Sequence, residues 1–370
     1  MNIRNFRKVE WWIPICAIAL CIIGLVALFS ASYDSGLDEF KKQAMWVGIS
    51  IVMMIIVMLV DYKIIIRLSP FLYGISIIML IAVLFTKPVN GARSWFNIKD
   101  GLFSFQPSEI SKIFIILFLS YIISIIQRKG RNEINKISKL AIILLVIAVP
   151  LILIIVEPDY GTATAYILAI TLMIFVAGID KKYILIACAI VVIAVPVTYN
   201  LILPEHAKTR IDTFLHPEND PRGAGYNILQ SKLAIGAGKL TGMGVLEGNQ
   251  TQLGYLYPKT TDFIFSVIGE EMGFIVASAV VIFNVLIITK SIQVAKGVKD
   301  EAGAYVATGI AGIFLFHTVE NIGMTIGLLP ITGVPLLFVS YGGSSMLTSF
   351  ICIGIILNIS SQRKTGMFNK

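Results

Sequence analysis

Asp262 stands where the two halves of "PKTTDFIFSVIGEEMGF" (258–274) meet, one half polar and Pro-started, the other opening a long apolar run. A carboxylate there can do two things. It can cap the helix that the apolar run predicts, because Asp accepts from the free N–H groups of a first turn. It can also act as a general base toward a substrate hydroxyl within hydrogen-bond reach. Other charges sit just as expensively beside apolar runs. "NGARSWF" holds Arg93 and Trp95, "QPSEISK" holds Glu109 and Lys112, and "EPDYGTA" holds Glu157 and Asp159. Glu109 and Lys112, three apart, share a helix face and can pair or meet a substrate. Asp159 can cap the run that follows it and still face a site. At about 100° per residue, Glu270 lies about 80° off the Asp262 face and roughly 12 Å deeper, and Glu271 points about 180° away. Those two carboxylates therefore read as internal pairing. His317 and Glu320, three apart inside an apolar run, are expected to pair with each other, since two residues make a poor metal site.

The elements that must position these groups are membrane helices. The chain has 370 residues, 56% of them hydrophobic and only 14% charged, with mean hydropathy +0.84. About 20 apolar residues cross the hydrocarbon core, and ten such runs are present, near 12–32, 44–60, 68–86, 108–126, 138–156, 160–178, 183–203, 262–289, 303–326 and 343–360. The fold class is an all-α polytopic membrane protein, one domain over 1–370, with 138–156 and 160–178 joined as a tight hairpin. Lys and Arg concentrate in alternate loops, such as Arg128, Lys129, Arg131, Lys136 and Lys139. By the positive-inside rule both termini are cytoplasmic. The basic, apolar N-terminus resembles a signal peptide, but its run is too long and another span follows at once, so it reads as span one. Four cysteines fall inside spans without metal-ligand spacing and read as packing residues. The net charge of +8 follows from the cytoplasmic loops and calls for no nucleic acid.

One connection, 204–261, is far too long for a connector, which predicts function in an extracellular loop between spans seven and eight. A short interfacial helix is expected near 226–240, with Ile228, Leu229, Leu233 and Ile235 set against Asn227, Gln230, Ser231 and Lys232. The glycine clusters "GAGKLTG" and "GMGVLEG" lack the Ser or Thr that a P-loop needs after Gly-Lys, because Leu240 follows Lys239, and read as flexible loop backbone. On this topology Arg93, Glu109, Lys112, Glu157, Asp159, Arg210, Arg222 and Asp262 all converge on the outer face. Two chemistries fit. In group transfer from a polyprenyl-pyrophosphate sugar, cations hold the pyrophosphate and one carboxylate takes the acceptor proton. In lipid or ion transport, the charges line a path.

The blocks "NGARSWF", "FQPSEISK", "EPDYGTA", "YLYPKTTDFIFSVIGEEMGF" and "NIGMTIGLLPITGVPLLFVSYGGSSML" resemble, in order, those of the SEDS proteins of shape, elongation, division and sporulation. The likeness spans nearly the whole chain, and "LLPITGVPLLFVSYGGSSM" is more similar to the RodA elongation branch than to the FtsW division branch. It implies a GT-C-like peptidoglycan glycosyltransferase of the bacterial plasma membrane. Such an enzyme polymerises lipid II into β-1,4 glycan at the extracytoplasmic face, with inversion and release of undecaprenyl pyrophosphate. By the same resemblance Asp262 is the catalytic base, and Arg93, Trp95, Glu109, Lys112, Asp159 and Arg210 belong to the substrate site. The implied partner is a class B penicillin-binding protein, alongside lipid II and membrane lipids. No cofactor follows, and a divalent cation (Mg or Mn) stays open. Tyr257 and Lys259 depart from the family's usual Leu-Pro-Glu beside the aspartate, and Leu337 replaces a frequent Pro. The alternatives are a lipid II flippase and a non-enzymatic scaffold of the wall-synthesis complex. Ser344 and Ser345 in "SYGGSS" have no base beside them and read as close backbone packing.

Overall fold

The computed structural model describes residues 9–88, 93–98, 103–187, 189–190, 192, 208, 212–217, 220 and 223–362. Among them nine helices are long and apolar enough to span a bilayer. They are α1 (Trp12–Ala31), α2 (Asp38–Leu59), α3 (Tyr62–Val83), α4 (Pro107–Gln127), α5 (Ile137–Val156), α6 (Tyr160–Ala177), α9 (Ile264–Gly297), α10 (Glu301–Thr325) and α11 (Gly343–Ser361). Between the last two groups lie α7 (Ala224–Ala237) and the single turn α8 (Asn249–Gln252). The expected span near 183–203 falls mostly outside the described residues. A two-stranded antiparallel ribbon, β1 (Phe96–Ile98) with β2 (Phe103–Phe105), precedes α4 and is the one departure from an all-helical reading. Helix α3 begins six residues before the apolar run, because Asp61 accepts from the Lys63 N–H at 2.9 Å and starts the helix there.

In lipid the packing order follows from which faces tolerate backbone approach. Helices α10 and α11 are central, with 78% of their apolar windows buried, whereas α2, α3 and α5 bury 22% and turn Leu, Ile and Phe outward. Helix α10 can be central because it is lined with small residues, which let backbones close in. Gly309 abuts Ile116 and Met173, and Gly312 abuts Ala169.

Helix α9 is two helices broken at Gly273, where φ is 77° and ψ −177°, a region essentially closed to other residues. The glycine clusters fill the break and are not the flexible backbone expected. Met243 and Gly244 N–H groups donate to the carbonyls of Glu270 and Glu271 at 2.9 and 3.0 Å, and Phe274 N–H donates to Lys239 O at 2.9 Å. Backbone groups freed by a break must find partners, and here a loop supplies them. Glu270 accepts from Gln250 N–H (2.7 Å) and from Thr251 N–H and hydroxyl (3.0 and 2.7 Å). Glu271 accepts from Ser30 (2.7 Å) and Gln252 (2.9 Å). The two carboxylates thus diverge into internal partners, in keeping with their helical spacing. Helix α7 buries Ile228, Ser231 and Ala234 and leaves Leu229 and Leu233 exposed. The buried Ser231 meets Ser266 of α9 and donates to Thr325 O, each at 2.6 Å.

A methyl group on Gly273 would stand 2.2 Å from the Gly242 nitrogen. Gly273→Ala is therefore expected to destabilise the protein by at least ~1–3 kcal/mol. Gly236→Ala, in α7 with open space around it, should be neutral or gain up to about 1 kcal/mol. Melting temperatures of the two variants in one detergent check the opposite signs.

Candidate active site

The site is built around the turn 332–335, between α10 and α11. One face of α10 holds nearly every residue of that turn. Glu320 accepts from the Thr332 hydroxyl at 2.8 Å, Asn321 Nδ2 donates to Val334 O at 2.9 Å, and His317 Nδ1 meets Pro335 O at 3.0 Å. His317 and Glu320 therefore do not pair with each other, as their spacing had suggested. Each is drawn to the turn instead, whose backbone and hydroxyl lie closer than the neighbour one helical turn away. Asp262 lies on the far side of the same turn. A methyl on Gly333 would stand 3.7 Å from Asp262 Oδ2, and Gly333 is itself exposed, so this edge of the carboxylate faces an open rim.

Asp262 is not the cap of its helix. Helix α9 starts at Ile264, the cap position is Phe263, and no side chain caps it. Asp159 does cap α6, accepting from Thr162 N–H at 3.1 Å through Oδ1. Its Oδ2 accepts from Gln106 at 2.8 Å and Ser108 at 3.2 Å. Two residues on, a methyl at Gly161 would strike Val334 (2.6 Å) and Thr332 O (3.1 Å), so the start of α6 presses directly on the turn. Glu109 and Lys112 pair at 2.8 Å with both side chains almost fully buried. Lys112 Nζ also lies 3.0 Å from His317 Nε2. Because Pro335 O only accepts, Nδ1 carries the ring proton, and the free lone pair of Nε2 receives the ammonium. Of the expected site residues, Asp262 is set against this turn, the Glu109–Lys112 pair reaches it through His317, and Asp159 caps the helix whose start presses on it.

Arg93 is exposed and donates to Leu84 O at 3.3 Å. Trp95 is half-buried, and Ser94 between them donates to Glu157 O at 3.3 Å. This strip flanks the α5–α6 hairpin, not the turn itself. Arg210 lies outside the described residues, as does Arg222. Gln106, His317, Asn321, Thr332 and Ser340 complete the arrangement. Gln106 and His317 carried a sequence signal, a polar residue just before Pro107 and a lone imidazole inside a span. Ser344 receives the Gln106 N–H at 3.2 Å and donates to Ser104 O at 3.3 Å, tying the ribbon to α11.

Glu157, in the hairpin, is fully buried, and neither carboxylate oxygen has a hydrogen-bond partner. Burial pushes its carboxyl up to about 8, and the Asp159 charge adds to the rise. An unfolded glutamate releases its proton near 4.5, so between about 4.5 and about 8 the unfolded chain holds fewer protons than the folded one. Stability contributed by this group is then full below that window and lost as pH rises through it. Glu157→Gln, a neutral isostere, should remove the loss. The gap in melting temperature between Gln variant and wild type should widen from pH 5.5 to 8.5, and a constant gap counts against a buried neutral acid.

No group of three or more His, Cys, Asp or Glu among the described residues is placed to hold a metal ion.

Nine described helices long and apolar enough to span a bilayer define a multi-pass membrane protein. Residues 10–365 match FTSW_RODA_SPOVE, described as cell cycle protein, and the chain belongs to that family. It is 34% identical over 350 residues to peptidoglycan glycosyltransferase MrdB of Escherichia coli K12, covering 94% of this chain and 92% of that one. It is 34% identical to stage V sporulation protein E of Bacillus subtilis 168, covering 94% and 95%. It is 29% identical to peptidoglycan glycosyltransferase RodA of Treponema pallidum Nichols, covering 98% and 100%. A chain from a structure described as "Structural coordination of polymerization and crosslinking by a peptidoglycan synthase complex" superposes with TM-score 0.83 at 24% identity, covering 97% and 99%. Thermus thermophilus RodA gives 0.71 at 23%, covering 97% and 98%. These likenesses support the fold.

Proposed function

We propose that this protein is a peptidoglycan glycosyltransferase that polymerises lipid II at the extracytoplasmic face of the bacterial plasma membrane, with both termini cytoplasmic. The observation that carries the reading is the placing of Asp262 against the exposed Gly333 edge of a turn that His317 links to the Glu109–Lys112 pair and on which the Asp159-capped helix presses. In this reading Asp262 accepts the proton of the acceptor 4-hydroxyl. The hydroxyl oxygen bonds to the anomeric carbon of the lipid-linked chain, and the bond from that carbon to undecaprenyl pyrophosphate breaks. Pyrophosphate leaves without an acid, so an inverting transfer needs one carboxylate, whereas a glycoside hydrolase uses two. Arg93, Trp95, Arg210 and the Glu109–Lys112 pair serve the donor and its pyrophosphate, and Asp159 the hairpin edge of the site. The printed names of the relatives support the activity. The partner is a class B penicillin-binding protein, which supplies the cross-linking. The likeness of the "PITG" sequence to the elongation branch supports a role in cell shape.

A flippase would put its charges near the midplane on broken helices of matched halves. Here they gather at one rim, and the break in α9 is filled by loop backbone. The test supplies lipid II in detergent to the purified protein with its partner. Long glycan supports the transferase. Scrambling of lipid II in vesicles without glycan would move the assignment to a transporter, and neither activity to a scaffold.

A further inference from the structure

The segment that carries Asp262 is held at three successive carbonyls. Thr260 O accepts from Tyr341 N–H at 3.0 Å. Thr261 O accepts from the Ser340 hydroxyl at 2.7 Å, and Asp262 O from Asn321 Nδ2 at 3.0 Å. Two of the three donors also grip the turn or its flank. Asn321 Nδ2 reaches Val334 O at 2.9 Å, and Ser340 Oγ accepts from Leu336 N–H at 2.9 Å. The Ser340 peptide is fixed in turn by Gln43 of α2, which donates to Ser340 O and receives Gly342 N–H, each at 3.0 Å.

Two details separate this from ordinary packing. Both partners of the Asn321 amide are carbonyls, so Nδ2 must face them and Oδ1 is left buried without a partner. A buried acceptor left unmade is costly and calls for a reason. The two residues also sit in different motifs, "ENIGM" and "FVSYGG", yet converge on adjacent peptides of a third, "TTDF".

We infer that Asn321 and Ser340 are positioning residues for the reacting carboxylate, locking the Thr261–Asp262 backbone to the turn 332–336 so that the Asp262 side chain meets the acceptor at a fixed place. The inference rests on Asp262 being the base. Neither residue touches substrate, and both act through the peptide that carries Asp262. A displacement of about an ångström at a reacting group is enough to lose on the order of a hundredfold in rate.

The test measures lipid II polymerisation by the full chain with its partner, normalised to folded protein, for Asn321→Leu, Ser340→Ala and Ser340→Thr. The first two should lower kcat at least tenfold while KM for lipid II stays within about threefold, because donor and acceptor binding surfaces are untouched. Ser340→Thr keeps the hydroxyl and should keep kcat. Where Asn321→Leu does not accumulate as folded protein, the Ser340 pair carries the test, since Ser340→Ala removes a single oxygen. Wild-type kcat in Ser340→Ala, with Asp262→Ala inactive, would overturn the inference. So would an equal loss in Ser340→Ala and Ser340→Thr, or a loss that appears in KM. Activity surviving in Asp262→Ala would instead remove the reading on which the inference stands.

Discussion

Asp262→Ala leaves a folded protein that makes no long glycan. The side chain is half-buried, and the carbonyls of Thr260, Thr261 and Asp262 keep their donors whatever side chain follows. The backbone grip should therefore keep the variant folded. A positioned base is worth roughly 10²–10⁴-fold in rate, and with no second carboxylate needed for the leaving group nothing in the proposed chemistry replaces it. Asp262→Asn separates charge from shape. It keeps the contour against Gly333 and one acceptor oxygen but cannot take a proton, and it should be nearly as inactive as the alanine variant. Long glycan from Asp262→Asn at the wild-type rate would mean the carboxylate only shapes or binds. The measurement is glycan length and initial rate from lipid II, with lipid II binding followed separately, since binding should survive both changes.

The membrane fold and the identity of the costly charges were legible in the sequence, because lipid leaves a hydropathy signal and makes every buried charge conspicuous. Partnership was less legible. Spacing predicted Glu109 with Lys112 correctly, because a salt bridge at i, i+3 needs nothing beyond its own helix. The same spacing misled for His317 and Glu320, since a turn that returns to the helix from 12 to 18 residues away offered better acceptors and donors. The Asp262 cap failed by one residue, a margin hydropathy cannot define. The break at Gly273 was invisible for another reason. A single glycine in an apolar run is tolerated in any membrane helix, and only the loop that fills the gap reveals that the helix stops. Residues such as Asn321 and Ser340 are ordinary polar residues in sequence. Their importance lies in the adjacent peptides they hold, which are some 60 and 80 positions away.

The same geometry explains how one short turn can join elements of five helices. Helix α10 is buried on nearly all sides and reaches the turn through His317, Glu320 and Asn321. Helix α4 joins through Lys112, α6 through Gly161, and α9 begins two residues after Asp262. Helix α2 fixes the far end at Ser340.

Lys112→Met is the second large effect, and it falls on stability before activity. The side chains of Lys112 and Glu109 are 2% and 4% exposed. Removing the ammonium leaves Glu109 without its 2.8 Å partner and takes the donor from His317 Nε2. Breaking one side of a buried pair costs roughly 3–5 kcal/mol, because the remaining charge is uncompensated. A buried carboxylate can neutralise instead, which caps the cost. Replacing both partners by groups of similar volume is often neutral, so Glu109→Gln/Lys112→Met should recover most of the lost melting temperature. Recovery of fold without activity in the double variant would assign the pair a part in substrate handling as well. Equal destabilisation in the single and double variants would show that the loss comes from packing around the lysine stem and not from an orphaned charge.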